Sequence, residues 1–238
     1  MDELRASRTL TNWLPYTGNA GNPDLEPFKA TQFDVAYEWY FSGEALLGAA
    51  AYYKDVSSYI GWKQTPQTFD GITYAVASPV NGKGGAISGA EFTFQTPFYF
   101  WSALENFGVY SNYAYVHSDV EEFVPVTDPL TGTGFAKHTA VVDLWYSSGP
   151  LETRLGYKYH SPFTVIYGWN GADLQTLESE SVLDLSTSYQ FGSKMQVRFQ
   201  VNNLTDEPLR MYRDNRPNRI GRYDEYGRRY LLDLTMKF

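Results

Sequence analysis

The chain has 238 residues, with 19 Lys plus Arg against 27 Asp plus Glu for a formal charge of −8, only three His, and no Cys. An acidic chain excludes sequence-independent nucleic-acid binding, which needs cations to neutralise phosphates, and the lack of Cys excludes a disulfide framework and thiolate metal sites. No run of eighteen or more apolar residues can form a spanning helix, yet a mean hydropathy of −0.40 still admits membrane strands, which are apolar only at alternate positions.

Met1 to Ala30 carries no signal-peptide h-region and no clean alternation, so it reads as a loop. Alternation begins at Gln32, with Phe33, Val35, Tyr37, Trp39 and Phe41 on one face and Asp34, Ala36 and Glu38 on the other. Noisier strands follow at Leu46 to Ile60, Ala86 to Gln95, Phe107 to Ser118 and His138 to Ser147. Cleaner ones lie at Leu151 to His160, Leu183 to Phe191 and Met195 to Asn202. The last segment, Tyr230 to Phe238, puts Tyr230, Leu232, Leu234, Met236 and Phe238 on one face and Arg229, Asp233, Thr235 and Lys237 on the other. A chain that ends at full hydrophobic amplitude reads as a barrel-closing strand, since soluble chains commonly end in a frayed segment. The total is about nine strands of the 9–11 residue length that a tilted bilayer-spanning strand needs.

The connections alternate in length. Ser42 to Glu44, Gly149-Pro150 and Gly192 to Lys194 are tight, with Thr96 to Ser102 somewhat longer. Trp62 to Gly84, Asp119 to Lys137, Ser161 to Glu180 and Thr205 to Glu225 are long and rich in Gly, Pro, Asn and Asp. Outer-membrane barrels place short turns on the periplasmic side and long loops outside, and counting back from a periplasmic C-terminus sorts every connection that way. The expected fold class is therefore all-β: part of an antiparallel transmembrane barrel, with Met1 to Ala30 outside and the first strand running inward. The odd strand count implies that upstream strands are missing, because bacterial single-chain barrels normally have even numbers.

Three segments carry a family resemblance. Gly21-Asn22-Pro23-Asp24-Leu25-Glu26-Pro27 resembles a loop of TonB-dependent outer-membrane receptors, and Asn81 to Glu91 is similar to a second segment of that family. Asn203-Leu204-Thr205-Asp206 with Tyr226-Gly227-Arg228-Arg229-Tyr230 resembles its ending. The resemblance implies that residues 1–238 are the C-terminal portion of a barrel domain of the 22-stranded, plugged class. It implies energised uptake of a scarce nutrient such as a ferric siderophore, cobalamin or an oligosaccharide across the outer membrane. The plug and the TonB-contacting segment are not found, so TonB would be met only through the missing N-terminal part. Outer-membrane lipid, lipopolysaccharide and, through the last strand, the barrel assembly machinery are the other expected partners. The chain alone is expected to be transport-incompetent.

Strand-end aromatics (Trp39, Tyr40, Phe41, Phe98, Tyr99, Phe100, Trp101, Tyr146, Phe191, Phe238) are expected to form an interfacial girdle. Glu38, Glu91, Asp143, Arg154, Lys158, Arg198, Asp233 and Lys237 are expected to line the lumen, either contacting plug or substrate or satisfying one another. In the external loops, Trp62, Phe69, Tyr74, Tyr167, Trp169 and Asn170 are candidates for stacking on a ligand, with loop packing as the competing role. Arg210, Arg213, Arg216, Arg219 and Arg222 recur every third residue in a Pro- and Gly-broken loop. Their guanidinium forks suit phosphate or carboxylate, against neutralisation by Asp206, Glu207, Asp214, Asp224 and Glu225. His117-Ser118-Asp119 is not a catalytic triad, since strand neighbours point to opposite sides. No catalytic, metal or cofactor motif is evident. A porin-like diffusion barrel or a secreted carbohydrate-binding β protein are the alternative readings. The first needs a closing strand near the N-terminus; the second leaves the loop alternation unexplained.

Overall fold

The computed structural model describes residues 2–122, 130–131, 134–167, 173–213 and 216–237, without side chains at 2, 121–122, 130–131, 166–167 and 173. The strands in chain order are β1 (Arg8–Leu10), β2 (Thr17–Ala20), β3 (Lys29–Ser42), β4 (Ala45–Phe69), β5 (Ile72–Gly82), β6 (Gly85–Pro97), β7 (Phe107–Ser118), β8 (Glu121–Glu122) and β9 (Leu130–Thr131). They continue with β10 (His138–Ser148), β11 (Leu151–His160), β12 (Phe163–Tyr167), β13 (Asp173–Leu177), β14 (Glu180–Phe191), β15 (Met195–Asn202), β16 (Leu209–Arg213), β17 (Ile220–Asp224) and β18 (Arg229–Met236). The only helical turns among the described residues are single 3-10 turns at Asp2–Leu4 and Ser102–Leu104.

Nine of these strands form a wall in the order β3-β4-β6-β7-β10-β11-β14-β15-β18, each antiparallel to the next. They coincide with the segments whose alternation predicted strands. Register turns alternation into two chemically distinct faces. On one, Tyr37 faces Ala49, Ala49 faces Phe92 and Phe92 faces Tyr113. Farther along the same face, Leu144, Leu155, Leu185, Val201 and Tyr230 meet in succession across five strands. From Phe33 to Phe41 this apolar band runs for about 26 Å along the strand. Among the described residues no second layer covers it: Phe33 is 71%, Val35 69% and Leu232 74% exposed. A soluble sandwich would bury such a face against another sheet.

The opposite face carries Glu38, Glu91, Asp143, Arg154, Lys158, Arg198 and Asp233, with Arg198 directly across from Asp233. Tyr40 also falls on this face, donating its hydroxyl to Glu38 at 2.6 Å. Its place in the aromatic girdle is thereby corrected, because period two puts it opposite Trp39 and Phe41. The remaining girdle residues with described positions lie at the short-turn end, where Phe41 stacks on Phe94 at 6.3 Å and Phe107 meets Tyr146 at 4.8 Å. Phe238 lies outside the described residues. On the polar face the Trp145 indole lies flat over its cross-strand neighbour Gly108, where a Cβ would sit 2.1 Å from Trp145 Cζ2.

Three of the segments expected to be structureless loops are hairpins. β4 spans 25 residues, continuing past the wall to pair with β5 across Trp62 to Gly82. The turn is Asp70-Gly71, whose φ angles of 51° and 81° supply the two left-handed residues that a tight hairpin of this twist requires. The segment after β11 folds as β12 and β13, and the one after β15 as β16 and β17. Together they make a separate four-stranded sheet, β12-β13-β16-β17. Their polar, turn-rich composition disguised backbone pairing that needs no apolar alternation. In the Asp119 to Lys137 segment the described pairing is β8 with β9.

The first thirty residues are also structured, because side-chain amides pair with backbone. Asn81 Nδ2 donates to the Glu26 carbonyl at 2.9 Å while the Glu26 N–H donates to Asn81 Oδ1 at 2.9 Å. Asn22 Nδ2 donates to the Pro79 carbonyl at 3.2 Å. β2 then lies parallel to β5. Two segments that are 55 residues apart are thus clasped, and both belong to the stretches carrying the family resemblance.

Two outcomes are expected. Gly108→Val displaces the Trp145 indole and costs about 1–3 kcal/mol by overpacking, read as a lower urea midpoint by tryptophan emission, whereas Gly43→Val changes little, having open space around its missing side chain. Asn81→Ala removes both bonds to Glu26 and speeds proteolysis within residues 1–27 while leaving the far-UV β signal of the wall intact.

Candidate ligand-binding vestibule

At the long-hairpin end the wall's polar face continues into the small sheet through two ion pairs and a His–Glu contact. Lys158 on β11 reaches Asp184 on β14 at 3.1 Å, and one turn of alternation farther out His160 Nε2 meets Glu180 at 3.3 Å. Beyond the wall Arg210 Nη1 meets Glu178 Oε2 at 3.3 Å. Glu180 and Asp184 share one face of β14 because their spacing is even, and Glu178 lies in the connection just before it.

Asp184 has a second task. Its Oδ1 accepts the Asn203 N–H at 2.9 Å and so ties the wall to the turn after β15. There Asn203, in the left-handed region at φ 56°, brackets Glu207 with two side-chain bonds of 3.0 and 2.8 Å. Arg228 Nε donates to the Leu204 carbonyl at 2.7 Å, with Nη1 at 3.9 Å from Asp206. The two pieces of the C-terminal resemblance thus form one joint at the base of the β16–β17 hairpin.

Glu178 accepts from two side chains above the wall. Besides Arg210 it takes the Tyr212 hydroxyl at 3.1 Å, and its backbone N–H donates to the Arg210 carbonyl at 2.9 Å. The bond to Glu178 raises the Arg210 pKa above its usual value, with desolvation opposing. Desolvation, then the bond to Glu178, raises that of the Tyr212 phenol. The Arg210 guanidinium also lies 6.0 Å from the Tyr223 ring centroid.

Within the arginine series Arg210 pairs with Glu178 and Arg222 with Asp224, the latter at 2.5 Å. Arg213, Arg216 and Arg219 sit at the exposed β16–β17 turn, linked by backbone bonds from Arg213 N to Arg219 O and from Arg216 N to Arg213 O. Asp214, expected to help neutralise them, lies outside the described residues, as do Trp169 and Asn170. Tyr167 ends β12, whereas Trp62, Phe69 and Tyr74 lie on the β4–β5 hairpin. Trp62 is 40% exposed, while Tyr74 is buried between Tyr16 at 5.5 Å and Phe69 at 6.1 Å. Arg8 lies 4.6 Å over the Phe69 ring.

His117 and Asp119 pair at 3.0 Å, but buried Ser118 turns its hydroxyl to the Val120 N–H, so the three do not converge. His117 and Ser118 border a cleft of about 270 Å³ whose other lining residues are Val116, Phe135, Lys137 and Pro162 to Thr164. Among the described residues no cluster of His, Asp and Glu is arranged to hold a metal ion. Alternation alone missed Glu178, Glu180, Asp184, Tyr212 and Tyr223. The even spacing of Glu180 and Asp184 was the available signal for those two.

Solved structures share this architecture. A variant of the ferric enterobactin receptor of Pseudomonas aeruginosa aligns with 99% of this chain and 36% of its own, at TM-score 0.69 and 16% identity. A siderophore receptor from Acinetobacter baumannii aligns with 94% of this chain and 34% of its own, at TM-score 0.63 and 16% identity. The ferric-catecholate import receptor Fiu of E. coli aligns with 90% of this chain and 28% of its own, at TM-score 0.61 and 18% identity. The chain therefore spans about a third of the length of these structures, and the likeness is one of fold. A sequence comparison with curated proteins finds no match. The profile of the family "TonB dependent receptor-like, beta-barrel" matches residues 2–204. With the two-faced wall and its outward hairpins, that match makes this chain a member of the TonB-dependent receptor β-barrel family.

Proposed function

We propose that residues 1–238 act as the C-terminal portion of an outer-membrane receptor that takes up a scarce nutrient with energy delivered through TonB. A siderophore-type iron chelate is the favoured cargo, because the structures of like fold include ferric enterobactin and ferric-catecholate receptors; cobalamin and oligosaccharides are the other cargo classes. The observation that carries the reading is the wall itself. Its apolar band is uncovered, its other face is charged, and its hairpins are short at one end and long at the other. Plug, TonB contact and the remaining strands belong to the rest of the receptor. The last strand, closing through Tyr230, Leu232, Leu234, Met236 and Phe238, is the signal for the barrel assembly machinery, and lipopolysaccharide packs against the long-hairpin rim. The role is transport rather than catalysis. Trp62, Phe69, Tyr74, Tyr167, Trp169, Asn170, Arg213, Arg216 and Arg219 are the proposed ligand-facing residues of the external hairpins.

Deleting the coding region should abolish growth on the cognate ferric siderophore as sole iron source, with growth on ferrous iron unaffected; unaltered growth on every siderophore supplied would contradict the uptake role. The membrane orientation gives a sharper contrast at two adjacent alanines. Ala51→Arg places a cation on the lipid-facing side near mid-depth and costs about 2–4 kcal/mol of insertion. Ala50→Arg faces Glu91 across the strand pair and is tolerated, as heat-modifiable mobility of the intact receptor after membrane insertion will show.

A further inference from the structure

We infer that Arg210, Tyr212 and Tyr223 form a recognition site for a planar oxyanion of the aromatic-carboxylate type, and that Glu178 is a built-in competitor that weakens it. This rests on the reading of these hairpins as the ligand-facing end of an uptake receptor. Glu178 contacts the guanidinium through a single nitrogen, Nη1, at 3.3 Å. That distance is longer than the 2.7–2.9 Å of a strong charge-assisted bond. Among the described residues the other donors of Arg210 meet no acceptor, so a forked edge remains that matches a planar carboxylate in two-point fashion.

The surroundings fit that ligand. Tyr223, directly across the β16–β17 pair from Arg210, places its ring 6.0 Å from the guanidinium carbon and offers a face for an aromatic body. The Tyr212 hydroxyl is a neutral donor currently held by Glu178 at 3.1 Å. Lys158–Asp184, His160–Glu180 and Arg210–Glu178 succeed one another from the wall to this point. An arriving oxyanion therefore meets a cation whose charge is partly cancelled by Glu178, with Glu207 as a further acid near enough to act on Arg210. The same competition favours ligands that bind two-point over spherical anions such as chloride, because only the former can replace what Glu178 supplies.

The test is titration of the intact receptor that carries these residues, purified in detergent micelles, with sodium benzoate, inorganic phosphate and chloride. Wild type, Glu178→Gln, Tyr212→Phe and Arg210→Gln are compared after each is shown to retain heat-modifiable mobility. Removing the competing carboxylate should tighten benzoate by about two- to fivefold, the scale of an exposed ion pair. Arg210→Gln should lose benzoate binding, and Tyr212→Phe, which frees Glu178 of one donor without touching charge, should weaken it. Phosphate binding as tight as benzoate would overturn the planar preference and assign the site to lipid headgroups. Glu178→Gln binding no tighter than wild type, or Arg210→Gln binding as well as wild type, would overturn the site itself. Because the readout is binding and not uptake, loss of transport in cells leaves this result separately decidable.

Discussion

Every part of this molecule depends on how a backbone can cross oil. Each N–H and C=O needs a partner there, because an unsatisfied group costs several kcal/mol. An antiparallel ladder provides those partners to both neighbours while leaving side chains to alternate between two environments. From Tyr37 through Ala49 and Phe92 to Tyr113, and from Leu144 through to Tyr230, one face is apolar without interruption by charge. The two edges of the wall follow from the same constraint. β3 pairs only with β4 and β18 only with β15 among the described residues. Eight antiparallel steps separate them, so both run in the same direction. A closed, wholly antiparallel barrel therefore needs an odd number of further strands between them.

Beyond the wall, polar bonds replace apolar burial as the organising force. The β4–β5 hairpin is held to the N-terminal segment by Asn22 and Asn81, and the β16–β17 hairpin is seated by Asp184, Asn203 and Arg228. These joints exchange side-chain amides, carboxylates and guanidinium groups for backbone partners, which suits a water-exposed surface where a packed core is not available. The β16–β17 turn they seat carries Arg213, Arg216 and Arg219.

Much of the wall was legible because period two is a direct record of two solvents. Gln32 to Phe41 and Met195 to Asn202 announce their faces residue by residue, and the short turns at Gly149 and Gly192 mark where the chain reverses. The hairpins were not legible, because outside the membrane both faces of a strand meet water and no alternation is required. Asp70-Gly71 was a readable turn signal that the Pro- and Thr-rich flanks obscured. Tyr40 shows how a cluster of aromatics can mislead: its neighbours belong to the apolar band, but parity sends it to Glu38. Of the vestibule, the arginine spacing was visible, while the division of labour within it depended on acids contributed by another hairpin, which no local pattern reveals.

The absence of native Cys makes single-cysteine scanning the most direct measurement of the two-faced wall. Cysteine is placed at Val35, Ala49 and Leu234 on the apolar face, and at Ala36, Ala50 and Asp233 on the charged one, in the intact receptor, kept free of other cysteines and inserted into lipid vesicles. A membrane-impermeant maleimide should label the second set and spare the first, with the first set quenched by a lipid-borne probe. Equal labelling of both sets, or protection of the charged set with labelling of the apolar one, would contradict the membrane wall.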